Sequence, residues 1–249
     1  MINNIAILNI YKKKNISSEL ISQLVYGEKF TILMKYNKWL KIKTDYDGYI
    51  GFIKKKDYQE NFNNTHKVFR LKSNVYSEHY GKFKFTGIQL PFNSRLKIFD
   101  KKRNYVKFSE NKWLHKRDIK NIGHKVKKYY EIFKIFLNTK YLWGGKTYKG
   151  IDCSALIQSF YHYNNIYCPR DSKDQIKFFK KFFNKKFMKA GMLIYWKGHV
   201  ACTINNKKLI HAYGPKKSVL IMNTNKTINE IKIKSNLRVK GLRKLNVIR

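Results

Sequence analysis

Along residues 1–60 apolar and polar positions alternate in short runs. In "GEKFTILMKYNKWLKIKTDYDGYIGFIKK" the apolar positions Phe30 and Ile32, Trp39 and Ile42, then Tyr49 and Phe52 fall at strand spacing. The runs break at Tyr36-Asn37 and Asp47-Gly48, which carry hairpin-turn chemistry. This predicts a small antiparallel barrel over 1–60, followed by a polar linker from Gln59 to Thr65. Residues 65–120 repeat the grammar more loosely: Tyr105-Val106-Lys107 stands where Trp39-Leu40-Lys41 stood, so a second, degenerate barrel is expected. From Gly123 the period lengthens. Val126, Tyr130, Phe133 and Leu137 mark one face of a helix, and "CSALIQSFYHYNN" predicts a second helix with Leu156, Ile157, Phe160 and Tyr161 on one side. Four short strands follow, in "MLIYW", "HVACTI", "KLIHAY" and "SVLIMN". Helices ahead of an antiparallel sheet make an α+β domain over 121–249.

Composition changes this picture little. With 43% hydrophobic and 16% aromatic residues the chain can bury real cores, which excludes a disordered polycation despite a net charge of +39. Such a charge points first to nucleic acid or another polyanion. However, the excess is nearly all lysine, accompanied by much Ile, Asn, Tyr and Phe, which is the drift an AT-biased genome produces on exposed positions. No nucleic-acid partner is expected. The three cysteines, Cys153, Cys168 and Cys202, form no CxxC pair, so a disulfide framework is not expected. The first apolar stretch, Ile5 to Ile10, precedes its basic residues, the reverse of a secretory signal, and no run approaches a membrane span. A cytoplasmic protein with no membrane partner is expected.

The chemistry concentrates in "YLWGGKTYKGIDCSAL". A phosphate-binding loop fails there, since Lys140 stands where that pattern needs its first glycine. What remains is Cys153 at a loop-to-helix junction, where free N–H groups and the positive dipole end favour a thiolate. A lone cysteine in such a place is ordinarily structural. A nucleophile needs a base, and His199 opens one strand while His211 lies in the next, joined by the turn Asn205 to Lys208. That hairpin can set the imidazoles side by side, one to take the thiol proton and one to orient it. Cys153, Cys168, Cys202, His199 and His211 lack the close spacing of structural zinc ligands, so neither metal nor organic cofactor is expected.

Tyr141-x-Trp143-Gly144-Gly145, Gly150-Ile151-Asp152-Cys153-Ser154, Pro169-Arg170-Asp171-Ser172 with Gln175, Gly198-His199-Val200 and His211-Ala212 together resemble the NlpC-type cysteine peptidases. These are papain-like α+β enzymes acting on peptidoglycan peptides, often behind bacterial SH3-like domains. The resemblance spans about residues 123 to 222 and implies Cys153 as nucleophile, His199 as base, His211 as orienting residue and Tyr141 at the oxyanion position. It is similar to the branch that releases L-Ala-γ-D-Glu from peptides with a free N-terminal L-Ala. In that branch Asp152, Ser154, Asp171 and Ser172 would shape the substrate site, with Trp143 as a wall. Glu28 and Tyr49 of the first SH3-like segment would close one end of the cleft. The chain departs from the family at Ala155 (usually Gly), Gly191-Met192 (usually Gly-Asp) and Cys168 (usually Leu), none of them in the triad.

The function expected is a cytoplasmic cysteine endopeptidase cutting the γ-D-glutamyl–diamino acid bond in muropeptide recycling. An exported hydrolase of intact wall, and a non-catalytic basic protein binding polyanions through its SH3-like segments, stand as alternatives.

Overall fold

The computed structural model describes residues 1–60, 62–182 and 188–245. Position 61 of the expected linker and positions 183–187 and 246–249 of the expected catalytic domain lie outside the described residues. The chain forms two compact units, 1–124 and 125–249.

In the first unit, β1 (Ile7–Tyr11), β2 (Leu20–Val25), β3 (Phe30–Lys35), β4 (Trp39–Thr44) and β5 (Ile50–Lys54) form an antiparallel sheet in the order β2-β1-β5-β4-β3. Alternation does the sorting: in β4, Leu40, Ile42 and Thr44 are buried while Lys43 is exposed. The inward residues join Leu8, Ile10, Leu24, Phe30, Ile53 and Tyr58 in one core.

Eight further strands follow: β6 (His66–Val68), β7 (Lys72–His79), β8 (Lys82–Pro91), β9 (Arg95–Leu96), β10 (Asp100–Lys102), β11 (Tyr105–Ser109), β12 (Lys112–His115) and β13 (Ile119–Asn121). They make a five-stranded sheet, β10-β11-β12-β7-β8, and a three-stranded one, β13-β6-β9. No closed barrel is found among the described residues where two small barrels were expected. Among the described residues every strand order is open, ending on edge strands such as β2 and β3.

The turn after β2 fastens the first sheet to this second group. Tyr26 belongs to the core of Val68, Val75, Leu90, Leu96, Val106, Phe108, Leu114 and Ile119, and its ring meets Phe108 edge-on at 5.4 Å. The Tyr26 carbonyl accepts from Arg95 N–H at 2.8 Å. Gly27 follows at φ +78°, and a Cβ there would fall 1.9 Å from the Arg95 carbonyl oxygen, so only glycine fits.

The second unit begins with α1 (Tyr129–Ile135), then the small ladder β14 (Lys146–Thr147) and β15 (Gly150–Ile151), then α2 (Cys153–Tyr163) and α3 (Ser172–Phe178). β16 (Met192–Trp196), β17 (His199–Thr203), β18 (Lys208–Tyr213) and β19 (Ser218–Asn223) form a meander; α4 (Thr224–Ser235) follows, and β20 (Gly241–Lys244) returns beside β16. The sheet order is β19-β18-β17-β16-β20, all antiparallel. α2 packs on β17 and β18 and is buried at every residue but Ser159, so it is a central helix rather than a one-faced one.

The first expected helix is shorter than its periodicity suggested, and its buried face is Ile132 and Phe133 with Phe136 just beyond. Asn164, just past α2, explains this. Its side chain accepts from Val126 N–H at 2.8 Å and donates to Val126 C=O at 3.1 Å, which holds that residue's backbone outside any helix. α3, α4 and β20 carry no clear apolar period and were not expected. Among the described residues no helix is long and apolar enough to cross a membrane.

Candidate active site

The loop before α2 is built to present its first residue. Gly144 takes φ +72° and donates its N–H to Asp152 Oδ2 at 3.0 Å. A Cβ on Gly145 would lie 2.4 Å from the Gly150 carbonyl oxygen, so the strands around it close only on glycine. Asp152 caps α2, its Oδ1 accepting from Ala155 N–H at 2.8 Å. This leaves Cys153 as the first helical residue, with only 4% of its surface exposed.

Asp152 is otherwise fully engaged. Arg170 grips it with both terminal nitrogens, Nη2 to Oδ2 at 2.6 Å and Nη1 to Oδ1 at 3.0 Å. Ser154 Oγ donates to Oδ1 at 3.0 Å and accepts from Arg170 Nη1 at 3.1 Å. Both partners of the ion pair are almost wholly buried, at 1% and 7% side-chain exposure. The Asp152 expected to shape the substrate site is therefore a carboxylate whose charge Arg170 already balances. The sequence reading passed over Arg170. Its signal was an arginine between Pro169 and Asp171, in a chain whose basic residues are mostly lysine.

Asp171 differs. It precedes α3 without capping it by a side-chain hydrogen bond, and 32% of its side chain is exposed. Its ion pair is with the exposed Lys173 at 3.9 Å, a contact of little strength in solvent. Ser172 opens α3 and is half-buried. Buried Gln175 ties α3 to α2 by donating to the Ser154 and Pro169 carbonyls, each at 2.9 Å.

The tight turn Lys197-Gly198 brings β17 in beside α2, and Cys153 Sγ lies 3.9 Å from the Gly198 carbonyl oxygen. Across the sheet His199 Nε2 meets His211 Nδ1 at 3.0 Å. The structure thus joins the two expected histidines and sets the cysteine against the start of the strand that carries one of them. Tyr213 stacks on His211 at 4.7 Å and 12°, and Trp196 lies 5.5 Å from the His199 ring. Tyr141 is half-buried with Gly214 against its ring, and its phenol is pushed upward by burial, then by Cys153 and Asp152 nearby. Trp143 is 54% exposed.

Burial decides the protonation of the resting pair. It pushes the Cys153 thiol up to about 12, with Asp152 adding to the rise and the Val200 and Ser154 N–H groups and Arg170 opposing it. Burial also takes His199 down to about 4 and His211 well below its ordinary value. Burial thus opposes the thiolate that the helix terminus was expected to favour, and it disfavours the charged form of both imidazoles as well. It follows that iodoacetamide should label Cys153 slowly at pH 7, with a rate climbing about tenfold per pH unit up to pH 9. Labelling followed by mass spectrometry checks this, and a rate already flat below pH 7 would contradict it.

Glu28 and Tyr49 belong to the first unit. Glu28 is buried there and accepts from Val25 N–H with Oε2, with the Arg95 guanidinium nearby. Tyr49 is half-buried, and its backbone N–H donates to Thr44 Oγ1 at 2.8 Å. Cys168 and Cys202 are free thiols fully buried in the second unit. Among the described residues, no group of three or more His, Cys, Asp or Glu is placed to hold a metal ion.

Comparison with known proteins adds to this geometry. The model of the NlpC/P60 family matches residues 138–237, and that of the bacterial dipeptidyl-peptidase Sh3 domain matches residues 10–57. A γ-D-glutamyl-L-lysine dipeptidyl-peptidase of Bacillus subtilis is 27% identical over 239 residues, covering 84% of this chain and 77% of its own. Dipeptidyl-peptidase 6 of Lysinibacillus sphaericus is 24% identical, covering 82% and 84%. The crystal structure of an NlpC/P60 family protein from Bacillus cereus shares the fold, with a TM-score of 0.82 over 98% of each chain at 20% identity.

Proposed function

From a chain that carries an NlpC/P60 cysteine peptidase domain together with a bacterial dipeptidyl-peptidase SH3 domain, we propose a dipeptidyl-peptidase that cuts the γ-D-glutamyl bond to a diamino acid in peptidoglycan-derived peptides. The observation that supports it best is the His199–His211 contact at 3.0 Å, on the strand edge against which Cys153 lies. It supplies a base and an orienting group for one nucleophile.

With Nε2 turned to His211, Nδ1 is the His199 nitrogen left for the thiol. As Sγ attacks the γ-carbonyl carbon, the thiol proton passes to His199 Nδ1 and the carbonyl oxygen becomes an oxyanion. The Tyr141 hydroxyl, kept protonated by its surroundings, donates to that oxyanion. Collapse breaks the C–N bond, and His199 hands its proton to the leaving amine of the diamino acid. The resulting thioester is then opened by water, which His199 deprotonates, releasing the γ-D-glutamyl product and the thiol. The reaction calls on no metal or organic cofactor.

Substrate selection falls to the start of α3. The half-exposed Asp171 carboxylate, with Ser172 beside it, receives the free α-amine of an N-terminal L-Ala, and Trp143 forms a wall. Asp152 and Ser154 act from beneath, holding Arg170 and the loop. Use on free peptides suits recycling within the cell. The net charge of +39 favours capture of these acidic peptides at low salt.

The test is hydrolysis of L-Ala-γ-D-Glu-L-Lys, with release of L-Ala-γ-D-Glu as the expected product. N-acetylating the alanine should lower kcat/KM by about 100-fold or more, since a desolvated charge pair is lost. Equal cleavage of both peptides would refute the amine subsite, and no cleavage of either would refute the substrate.

A further inference from the structure

Beyond the two histidines, the site has a neighbour whose chemistry is otherwise unexplained. His211 is 1% exposed, and its Nε2 faces the thioether sulfur of Met222 at 3.3 Å. Register accounts for the meeting: His211 pairs across β18 and β19 with Leu220, and Met222 is the same-face diagonal neighbour two residues on. The Tyr213 ring covers one face of the imidazole, so the ring plane and both nitrogens are held.

A neutral imidazole carries one N–H, and the choice of nitrogen matters here. For His199 to accept the thiol proton on Nδ1, its own proton must sit on Nε2 and point at His211. His211 Nδ1 must then be bare, so its proton is on Nε2. There it points at sulfur, a weak acceptor but no donor. The opposite arrangement would put a proton on His211 Nδ1, drive the His199 proton to Nδ1, and leave two protonated groups facing each other at the thiol. We propose that Met222 is a positioning residue: its sulfur accepts the Nε2–H of His211 and so holds the tautomer in which His211 accepts from His199. Its catalytic consequence rests on the reading of His199 as the base.

Two variants separate acceptor from packing. Met222→Leu keeps the volume and removes the acceptor; Met222→Lys keeps the length and presents a donor. Histidine 15N chemical shifts should report Nε2–H at His211 in the wild type, a mixture in Met222→Leu, and Nδ1–H in Met222→Lys. On L-Ala-γ-D-Glu-L-Lys, kcat should fall about 5-fold in the leucine variant and about 100-fold in the lysine variant, at unchanged KM. A purely structural role would instead lower thermal stability in both while leaving the tautomer and kcat alone, and that result overturns the proposal. So does an Nδ1–H tautomer in the wild type. His199→Ala is measured in parallel. Should it remain active, the reading of the base fails, while the tautomer measurement still decides the Met222 contact.

Discussion

Replacing Cys153 with alanine should lower kcat/KM for L-Ala-γ-D-Glu-L-Lys by about 10⁴-fold or more, with the fold unchanged. The substitution removes only the sulfur of the first residue of α2, while the cap made by Asp152 and the Arg170 ion pair stay in place. His199→Ala should cost a comparable amount. The double variant should be little worse than either alone, because a nucleophile without its base and a base without its nucleophile are both idle. Residue-independent activity across the three proteins, measured on the same preparations with matched melting curves, would dismiss Cys153 and His199 as the reacting pair.

The largest stability effect is expected at Arg170. Arg170→Leu leaves the Asp152 carboxylate buried with no counter-charge and should destabilise the second unit by about 3–5 kcal/mol. That corresponds to a fall in melting temperature on the order of 10 °C. Combining it with Asp152→Asn should recover part of the loss, since two uncharged partners are cheaper to bury than one orphaned charge. Thermal unfolding of the two single variants and the double variant closes the cycle. A leucine variant that melts with the wild type would mean that the pair contributes nothing net.

These two residues also show how far the sequence carries. The junction at Cys153 and the meeting of His199 with His211 were legible because they are local: a loop-to-helix junction, and a hairpin whose short turn fixes which side chains can meet. The strands of the first sheet were legible for the same reason, as a period of two survives in a chain rich in lysine. Arg170 was not legible, although it stands in a quoted motif. Nothing in "PRDS" says that the arginine turns inward while the aspartate beside it stays half-exposed. The surroundings of Asp152 and Asp171 differ through that turn.

Two expectations erred for one physical reason, namely that local rules ignore what folds back upon them. The periodicity through Val126, Tyr130 and Phe133 is helical, yet Asn164, 38 residues further on, takes Val126's backbone groups first. The helix terminus at Cys153 favours a thiolate, yet burial beneath β17 raises the thiol instead. Barrel closure, too, lies beyond local rules. Alternation specifies that strands have an inner face; it does not specify that the first strand of a sheet finds the last, and here Tyr26 leaves its own sheet to complete another core.

The Asn164 clamp has a further consequence, for how such proteins are assembled from modules. Asn164 satisfies both backbone groups of Val126, and Lys125 reaches the Asn164 carbonyl, so the chain enters the second unit at a fixed address beside the end of α2. The seam for recombination therefore lies before Lys125 and not at the start of α1. A swap made upstream of it exchanges whole modules. One made three residues later would disturb the tether at the end of α2 and put at risk the hydrogen bond that the buried Asn164 Oδ1 accepts, while Nδ2 would keep the Phe160 carbonyl.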